Sequence, residues 1–595
     1  MTAIEERRAT TTGVAVRGLR VETAGGAPIV EDLSLDAPAG RIVGLVGESG
    51  SGKTAAGLAL LGMVRRGTRI ASGSVMLGGI DVLSLPRNEL RGWRGTVLSY
   101  VPQQAEAALN PATPVGRQLC EATRAGGVDG YDCDARVERL LREVGLPSDA
   151  AFQRRRPHEL SPGELRRMSI AMAFAPHPAL VVLDDPTSGL DATTRGHLLD
   201  TVRELAEHSG CAALVLGRDL AVVADVSEDI AVMYAGTIVE KAATDDLARD
   251  PRHPYTARLV AAVPDLAARR ELRGIPGAAP HGTSRPGGCR FEPRCPLATP
   301  DCVLRLPELD LVGARHWARC MHSAQVKPVA TVRPLAPRHL EELPPLLRVE
   351  DLTARYGREG VLDSVDLEVG VGASTALLGD PDSGTTALAR VIAGLHSAVA
   401  GAMWFRGLPL RFGAANRTVD LRKCVSYVFP DPDASLDPRR TVAESVVRPL
   451  RVLSRVSRRQ SGEVARSVLQ LVELPPGVAG RYPAQLSAGE RQRVAIARGL
   501  VTAPDLLVCD EITGRLDMPV QAEIVELLRR LSSRMGFAML FVTQDIALAG
   551  SVASRVAVLR DGRVVEQGPT EEVLTAPAHP YTRELLETAP AFALA

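Results

Sequence analysis

Short apolar runs alternate with longer amphipathic stretches along most of the chain. Residues 42–46 (IVGLV) form an apolar run that predicts a buried strand, and residues 54–61 (TAAGLALL) after it predict a helix. Another apolar run, residues 179–183, ends in Asp184 and Asp185 and also predicts a buried strand. This alternation of strands and helices predicts an α/β fold with a mainly parallel sheet.

The pattern is present twice. Three motifs recur at an offset of 326 residues: LSxGE around Ser161 and Ser487, the strand that ends in Asp184 or Asp510, and HPYT at residues 253–256 and 579–582. A glycine-rich loop that begins at Gly47 recurs at Gly379, with an offset of 332 residues. The chain therefore contains two tandem copies of one domain of about 250 residues, which is an ordinary domain size.

The repeat divides the chain into three parts. We expect a first domain over residues 1–270, a second domain over residues 346–595, and a linking segment over residues 271–345. This middle segment is rich in Pro, Gly and Arg and contains four cysteines. A chain of 595 residues is too long for one hydrophobic core, which agrees with the division.

The composition argues against some classes of protein. The chain has 70 Lys and Arg and 70 Asp and Glu, and this zero net charge argues against a protein that coats nucleic acid. No apolar stretch reaches the roughly 18 residues that a transmembrane helix needs. Residues 1–12 lack the apolar core of a signal peptide. We therefore expect a cytoplasmic protein whose attachment to a membrane depends on partners.

The first glycine-rich loop has the pattern of a phosphate-binding loop. Residues 47–54 (GESGSGKT) lie between a predicted strand and a predicted helix, which is the context that this motif requires. Backbone N–H groups and the helix N-terminus attract phosphate, the lysine contacts the β- and γ-phosphates, and the threonine ligates Mg²⁺. The residues that we expect to bind nucleotide here are Gly47, Ser49, Gly50, Ser51, Gly52, Lys53 and Thr54.

Two carboxylates follow one another at the end of the aspartate strand in both copies. Asp184 and Asp510 end a buried strand at the edge of the sheet where such folds bind ligands, so each can hold Mg²⁺. The next residues, Asp185 and Glu511, can orient the attacking water.

Each LSxGE segment predicts the start of a helix. Ser161 and Ser487 occupy the N-cap position and a glutamate follows three residues later, which is a capping box. Both boxes precede the aspartate strand by 23 residues, and this repeated spacing favours a role beyond helix capping.

Together these motifs resemble the ATP-binding cassette (ABC) ATPase family. The phosphate loop, LSxGE helix, aspartate strand and a Leu-Asp pair follow in the same order in both copies. The HPYT motif, followed by GCRFEPRCP at residues 288–296, resembles the dipeptide/oligopeptide and nickel importer ATPases. The resemblance implies that two fused cassettes pair head to tail as an internal pseudo-dimer. Each nucleotide would then lie between one phosphate loop and the LSxGE helix of the other copy.

The same resemblance implies cofactors, partners and a location. The cofactors would be ATP and Mg²⁺. The partners would be two integral-membrane permease subunits and, indirectly, an extracytoplasmic solute-binding protein, with no nucleic acid. The chain would lie peripherally at the cytoplasmic face of the cell membrane.

The first composite site, called site one here, departs from the family in three places. It would be formed by Lys53, Thr54, Gln103, Asp184 and Asp185, with Ser487 and Gly489 from the second copy. The family's catalytic glutamate is replaced by Asp185 and its switch histidine by Arg218. Thr23 stands where an aromatic residue should stack on adenine.

The second composite site, site two, departs further. Its loop, residues 379–386 (GDPDSGTT), has Thr385 in place of the lysine. Pro430 and Gln544 stand at the glutamine and switch positions. The family residues that remain are Asp510, Glu511, the aromatic Tyr356 and, from the first copy, Ser161. Loss of a charged hydrogen bond costs roughly 1.5–3 kcal/mol, so we expect one competent site and one that is structural or binds nucleotide poorly.

Four cysteines lie in the middle segment: Cys289, Cys295, Cys302 and Cys320, separated by five, six and seventeen residues. No Cys-x-x-Cys pair is present there, which argues against a zinc ribbon. Four thiolates can hold a [4Fe–4S] cluster or zinc, and the resemblance to the peptide importers favours the cluster. Four ordinary thiols in a proline-rich segment are the alternative.

We expect an ATPase that energises a membrane importer for di- or oligopeptides or a similar small solute. Two other function classes stay open. A soluble tandem ABC ATPase that acts on ribosomes or DNA would also lack membrane spans, but the zero net charge and the character of the linker argue against it. The eroded motifs would also suit a nucleotide-sensing scaffold that does not hydrolyse ATP.

Overall fold

A computed structural model of the chain describes residues 13–127, 131–266, 271–280, 282–327, 345–454 and 456–589. The expectations for residues 1–12, for the domain end at residue 270 and for residues 328–344 of the middle segment lie outside this part of the chain. Each copy combines a four-stranded antiparallel sheet, a mainly parallel sheet and a group of helices.

Among its described residues, the first copy contains ten strands in two sheets. They are β1 (Gly13–Thr23), β2 (Pro28–Pro38), β3 (Ile42–Val46), β4 (Thr68–Leu77), β5 (Ile80–Asp81), β6 (Leu98–Val101), β7 (Leu180–Asp184), β8 (Ala212–Gly217), β9 (Asp229–Tyr234) and β10 (Thr237–Ala243). The antiparallel sheet has the order β2-β1-β4-β5. In the other sheet β6, β7, β8, β3 and β9 are neighbours in that order and run parallel, and β10 is antiparallel to β9.

The parallel strands at the centre of this sheet confirm the predicted buried strands. Every residue of β3, β7 and β8 is buried, because elements pack on both faces of a parallel sheet. The antiparallel sheet was not predicted. Its strand β1 alternates between buried and partly exposed residues along much of its length, as a strand with one face on the core does.

The helices of the first copy include the two that the motifs predict. They are α1 (Lys53–Leu60), α2 (Arg87–Trp93), α3 (Val115–Ala125), α4 (Tyr131–Glu143), α5 (Ala150–Gln153), α6 (Pro162–Phe174), α7 (Ala192–Ser209), α8 (Leu220–Val226), α9 (Thr244–Arg249) and α10 (Pro254–Ala261). The capping box before α6 is confirmed: Ser161 Oγ accepts from the Glu164 N–H at 3.2 Å, and the Glu164 carboxylate accepts from the Ser161 N–H at 2.7 Å.

The middle segment is built onto the first copy. It contains α11 (Pro300–Leu304) and two short strands, β11 (Asp310–Gly313) and β12 (His316–Ala318). Strand β12 pairs antiparallel with β10, and β11 pairs with β12. In the described residues, the mainly parallel sheet of the first copy therefore has eight strands in the order β11-β12-β10-β9-β3-β8-β7-β6.

The second copy repeats both sheets. Its strands are β13 (Pro345–Tyr356), β14 (Glu359–Gly370), β15 (Ser374–Leu378), β16 (Ala398–Phe405), β17 (Leu408–Pro409), β18 (Val425–Val428), β19 (Leu506–Asp510), β20 (Ala538–Thr543), β21 (Arg555–Arg560) and β22 (Arg563–Pro569). The antiparallel sheet has the order β14-β13-β16-β17 and the other sheet β18-β19-β20-β15-β21-β22.

The helices of the second copy repeat the order seen in the first. They are α12 (Thr385–Ala393), α13 (Val419–Cys424), α14 (Pro432–Ser435), α15 (Val442–Leu453), α16 (Arg458–Leu471), α17 (Ala488–Leu500), α18 (Met518–Met535), α19 (Ile546–Val552), α20 (Thr570–Thr575) and α21 (Pro580–Glu587). The capping box of Ser487 and Glu490 before α17 is also confirmed. None of the helices in the described ranges has the length and apolar character that crossing a bilayer requires.

Candidate nucleotide sites between the two copies

The predicted phosphate loop connects β3 to α1. Gly52 is the N-cap of α1 and has a left-handed φ of 107°. A Cβ atom there would lie 3.0 Å from the Ile29 carbonyl oxygen, so only glycine fits without strain. The loop and the start of the helix contain the seven loop residues that are predicted to bind nucleotide: Gly47, Ser49, Gly50, Ser51, Gly52, Lys53 and Thr54.

Lys53 is folded back onto the loop. Its side chain Nζ donates to the carbonyl oxygens of Gly47 at 2.6 Å and Glu48 at 3.0 Å and to Ser51 Oγ at 3.2 Å. The residue is only 8% exposed, and burial lowers the pKa of Lys53 to about 8. This ammonium group is the cation that the loop offers to phosphate oxygens.

The predicted magnesium ligands of the first copy lie side by side. Thr54 Oγ1 donates to Asp184 Oδ1 at 3.2 Å, and Tyr100 Oη donates to Asp184 Oδ2 at 2.9 Å. A hydroxyl and a carboxylate are oxygen ligands of the kind that Mg²⁺ takes alongside phosphate and water. The two residues therefore suit the ion, and the contact from Tyr100 was not predicted.

Asp185 is surrounded by side chains that were predicted for site one. Its Oδ2 accepts from Gln103 Nε2 at 3.2 Å and from Arg218 Nε and Nη2 at 3.2 and 3.0 Å. Asp185 has a left-handed φ of 51°, and Glu511 in the second copy has one of 45°. Non-glycine residues with such backbone angles concentrate at functional sites. Asp185 therefore combines an uncommon backbone conformation with a carboxylate that accepts hydrogen bonds from an amide and a guanidinium group.

The second copy contributes an aspartate to the first phosphate loop. Asp517 Oδ2 accepts from the Ser49 N–H at 2.8 Å, and Asp517 Oδ1 accepts from Ser49 Oγ at 2.7 Å. Arg218 Nη1 lies 4.0 Å from Asp517 Oδ1. This contact between residues 468 positions apart brings the first loop against the second copy. Asp517 is the aspartate of the Leu-Asp pair in the second copy, and its contact with Ser49 was not predicted.

Ser487 and Gly489 have local roles in the structure. Ser487 Oγ accepts from the Glu490 N–H at 3.2 Å as the cap of α17. A Cβ atom on Gly489 would lie 2.8 Å from a methyl group of Val520. That they contact nucleotide bound to the first loop stays a prediction.

The second copy has the same threonine–aspartate contact as the first and has no lysine at the corresponding position of its loop. Thr386 Oγ1 donates to Asp510 Oδ1 at 3.0 Å, as Thr54 does to its aspartate. Thr385 is buried at the start of α12. Gln544 Nε2 donates to Glu511 Oε1 at 2.7 Å, where the first copy has an ion pair.

Two further residues of site two can be located. Tyr356, predicted to stack on adenine, is 42% exposed at the end of β13, and its ring lies 4.4 Å from that of His396. Ser161, predicted to face site two, caps α6 as described above. Their contact with nucleotide stays a prediction.

A cavity of about 710 Å³ lies between the two copies. Residues of both copies line it, among them Asp185 and Arg218 from the first and Glu511 and Gln544 from the second. Pro381 and Pro430 of the second copy also line it. The carboxylates that would orient water in the two sites therefore face one shared space.

Three of the four cysteines of the middle segment, Cys289, Cys295 and Cys302, pack in or against one hydrophobic core. Burial and the neighbouring thiols of Cys289, Cys295 and Cys302 raise the pKa of Cys320 to about 12. The Cys289 N–H donates to the Cys302 carbonyl oxygen at 2.7 Å. Within the part of the chain that the structure describes, however, no three His, Cys, Asp or Glu side chains are arranged to hold a metal ion. The predicted iron–sulfur site is therefore not supported by this geometry.

Two family models match the chain. The ABC transporter model matches residues 30–188 and 362–514. The model for the C-terminal region of oligopeptide/dipeptide transporters matches residues 239–302 and 565–593. Both models therefore match twice, once in each copy.

Curated relatives cover nearly the whole chain. The oligopeptide transport ATP-binding protein OppD of Mycobacterium tuberculosis is 36% identical over 584 residues, which are 94% of this chain and 95% of the relative. The glutathione import ATP-binding protein GsiA of Salmonella typhimurium is 32% identical over 579 residues, which are 94% of this chain and 86% of the relative. Among solved structures, the ATP-binding cassette MJ0796 is 27% identical and covers 38% of this chain and 98% of its own, with a TM-score of 0.34. The chain therefore belongs to the ABC transporter family, as an ATP-binding protein with two cassettes in tandem and the C-terminal region of the oligopeptide/dipeptide transporters.

Proposed function

We propose that this chain is the ATP-hydrolysing subunit that energises a membrane importer for di- or oligopeptides or a similar small solute. The chain is an ABC-type ATPase, and members of this family hydrolyse ATP. The solute class is supported by the names of the relatives, one an oligopeptide transport protein and one a glutathione import protein. The matches of the oligopeptide/dipeptide C-terminal region in both copies also support it.

The proposal includes one competent nucleotide site. The observation that carries it is a difference at one position of the two loops: the first loop has the buried ammonium group of Lys53, and the second has the buried residue Thr385. ATP would be held at site one by the first loop and by Ser487 and Gly489 of the second copy. Mg²⁺ would be held by Thr54 and Asp184.

Catalysis at site one would depend on the carboxylate of Asp185, which accepts hydrogen bonds from Arg218 in this structure. In the bound state Asp185 would orient the attacking water, with Gln103 next to it. Arg218 donates to the same carboxylate, lines the cavity between the two copies, and lies near enough to Lys53 for its charge to help lower the pKa of that lysine. An arginine in this place would stabilise negative charge on the transferring phosphoryl group.

The partners and location follow from the importer proposal. Two integral-membrane permease subunits would bind the cassettes, and an extracytoplasmic binding protein would deliver the solute. The chain would lie at the cytoplasmic face of the membrane without contacting nucleic acid. We also propose domain limits of 1–270, 271–345 and 346–595, with the middle part built onto the first cassette.

Reconstitution tests this function directly. The chain would be purified together with the permease subunits proposed as its partners and placed in proteoliposomes. ATP hydrolysis should rise when the binding protein loaded with an oligopeptide is added, and peptide should accumulate on the side that holds ATP. A rate of ATP hydrolysis that does not change when the permease and the binding protein are added would contradict the importer function.

A nucleotide-sensing scaffold is the second candidate function. The ion pair between Asp185 and Arg218 favours it, because carboxylate oxygens that already accept hydrogen bonds from a guanidinium are less available to an attacking water. A scaffold would bind one ATP per chain and would not hydrolyse it even with the permease present. Phosphate release from the reconstituted complex separates the two functions.

A [4Fe–4S] cluster on Cys289, Cys295, Cys302 and Cys320 is a separate part of the proposal. It is supported by the presence of four thiols in one segment of the sequence and not by their arrangement in the described residues, which is not one that ligates a metal ion. Protein purified without oxygen should contain about four irons per chain, and serine in place of Cys289 and Cys295 should remove them. One equivalent of zinc without iron would reject the cluster.

A further inference from the structure

A buried arginine of the middle segment contacts the phosphate loop of site one. Arg294 precedes Cys295 in the chain, and its side chain is 5% exposed. Its Nη1 donates to both carboxylate oxygens of Glu48, at 3.0 and 3.1 Å. Glu48 is the second residue of the GESGSGKT loop, so this ion pair joins the middle segment to the loop that contains Lys53.

The guanidinium group of Arg294 has a fixed position. Nε donates to the Pro276 carbonyl oxygen at 2.9 Å and Nη2 to the Ile275 carbonyl oxygen at 2.7 Å. Nη1 also donates to Tyr234 Oη at 3.2 Å. Because a planar guanidinium with partners on three sides cannot rotate freely, it fixes the place of the carboxylate that it binds.

Glu48 in turn holds the backbone of the loop. Its N–H donates to Tyr255 Oη at 3.1 Å, and its carbonyl oxygen accepts from Lys53 Nζ at 3.0 Å and from the Ser51 N–H at 3.1 Å. Burial raises the pKa of Glu48, and the charge of Arg294 opposes this rise. Removing the guanidinium would leave a buried carboxylate without its counter-charge, which is strongly unfavourable.

The corresponding residue of the second copy has a different partner. Asp380 stands at the position of Glu48, and its Oδ2 accepts from Tyr581 Oη at 2.6 Å. Arg560 lies over the ring of Tyr581 at 4.6 Å and forms its ion pairs with Asp561 and Glu584 rather than with Asp380. The arginine contact is thus a property of the loop that has the lysine.

We propose that Arg294 is a positioning residue for ATP binding at site one. It fixes Glu48, and Glu48 fixes the loop backbone whose N–H groups would surround the phosphates. This inference rests on the proposed function, because it assumes that ATP binds at the loop of Lys53. Without the guanidinium group of Arg294, the loop would shift, and its N–H groups and Lys53 would no longer be aligned with the phosphates. The affinity for ATP would then fall even in protein that remains folded.

Equilibrium binding of Mg·ATP to the full chain tests the inference. The variant is Arg294→Met, and the matched control is Arg290→Met. Arg290 belongs to the same segment and pairs with Glu31 of β2 at 2.6 Å instead of with a residue of the loop. We expect Arg294→Met to raise the Kd by about tenfold or more, and Arg290→Met to leave the Kd within about twofold of wild type, while both lower the melting temperature.

A second substitution separates positioning from general damage. In the Arg294→Met background, Glu48→Gln removes the unpaired buried charge and should recover part of the affinity, which a double-mutant cycle measures. If Arg294→Met does not fold, Arg294→Lys takes its place, since lysine keeps the charge but lacks the planar group that also bonds the Pro276 and Ile275 carbonyl oxygens. It should bind ATP with a Kd between those of wild type and Lys53→Ala.

Two results would overturn the inference. One is a wild-type Kd in a folded Arg294 variant, and the other is an equal loss of affinity in Arg290→Met. Lys53→Ala, measured in the same series, keeps the two proposals apart. If Lys53→Ala also binds ATP like wild type, the placement of ATP at site one fails and not only the role of Arg294.

Discussion

The two phosphate loops have the same strand–loop–helix frame and offer phosphate different chemistry. The first loop contains a buried lysine, Lys53, and the second has Thr385 at the same place, also buried. The threonine that follows bonds the strand aspartate in both, at 3.2 Å from Thr54 and 3.0 Å from Thr386. The comparison teaches that neither the strand–loop–helix frame nor the threonine–aspartate contact depends on the lysine, because both are present in the copy that has Thr385 at its position.

The two Leu-Asp aspartates, Asp517 and Asp191, also differ in their contacts, and the first loop is again the one that has the additional partner. Asp517 accepts two hydrogen bonds from Ser49 of the first loop and makes no cap bond to its own helix. Its counterpart Asp191 caps its own helix, accepting from the Thr194 N–H at 2.7 Å. Pro381 stands at the position of Ser49 in the second loop and has no N–H to donate. The aspartate of the second copy thus supports site one, whereas that of the first copy supports its own helix.

Removing the carboxylate that is proposed to orient water should give the largest difference in hydrolysis between the two sites. Asp185→Asn should lower the rate of ATP hydrolysis by about a hundredfold or more, because an amide cannot accept the proton of the attacking water. Glu511→Gln, the matched change at site two, should leave the rate within about twofold. Steady-state phosphate release on both variants measures this. A loss in Glu511→Gln as large as in Asp185→Asn would show that both sites hydrolyse ATP.

Removing the lysine should have the next largest effect. Lys53→Ala takes away a charged hydrogen-bond donor to phosphate and should weaken ATP binding by about ten- to hundredfold. Thr385→Ala removes no charge and should change the affinity little. Isothermal titration with Mg·ATP compares the two variants, and a similar loss in both would contradict the unequal sites.

The two LSxGE serines provide a pair with matched structural roles. Each caps a helix with the same 3.2 Å bond from the third N–H, so each alanine should cost about 1 kcal/mol of stability. Ser487→Ala should also lower hydrolysis by about tenfold, since Ser487 would face the loop that binds ATP. Ser161→Ala should leave hydrolysis nearly unchanged. Equal catalytic defects at equal stability would contradict the head-to-tail assignment.

The pH dependence of ATP binding should report on Lys53. Burial holds the pKa of Lys53 near 8 in the free protein, and phosphate charge favours the protonated form, so the pKa rises on binding. Below pH 8 the lysine is already charged. Above pH 8 binding must take up a proton, and the Kd should rise by up to about tenfold per pH unit. Titration in two buffers of different ionisation enthalpy measures the uptake, and a flat profile from pH 7 to 9 would contradict it.

Much of the fold could be predicted because it depends on local pattern and on the repeat. The strand at residues 42–46 and the capping boxes at Ser161 and Ser487 are confirmed, and the predicted helix begins at Lys53, one residue early. The middle segment could not be predicted in the same way. Its strand β12 extends the first sheet by pairing with β10, a contact set by tertiary packing and not by a local pattern.

The candidate site was predicted as a set of residues but not as a set of contacts. The motifs placed Gln103 and Asp185 in one site, and the structure brings them to 3.2 Å. The partners of Ser49 and Glu48 are remote in sequence, Asp517 and Arg294, and no motif spacing connects them. Such contacts depend on how the copies and the middle segment pack.

The number of ATP molecules that one chain binds tests the account most directly. Equilibrium dialysis of the purified full chain with Mg·ATP, with hydrolysis prevented by Asp185→Asn, gives the stoichiometry and the affinity together. We expect one tight ATP per chain, lost when Lys53→Ala is added and retained when Thr385→Ala is added. Two ATP molecules bound with equal affinity, or binding that survives Lys53→Ala, would contradict it.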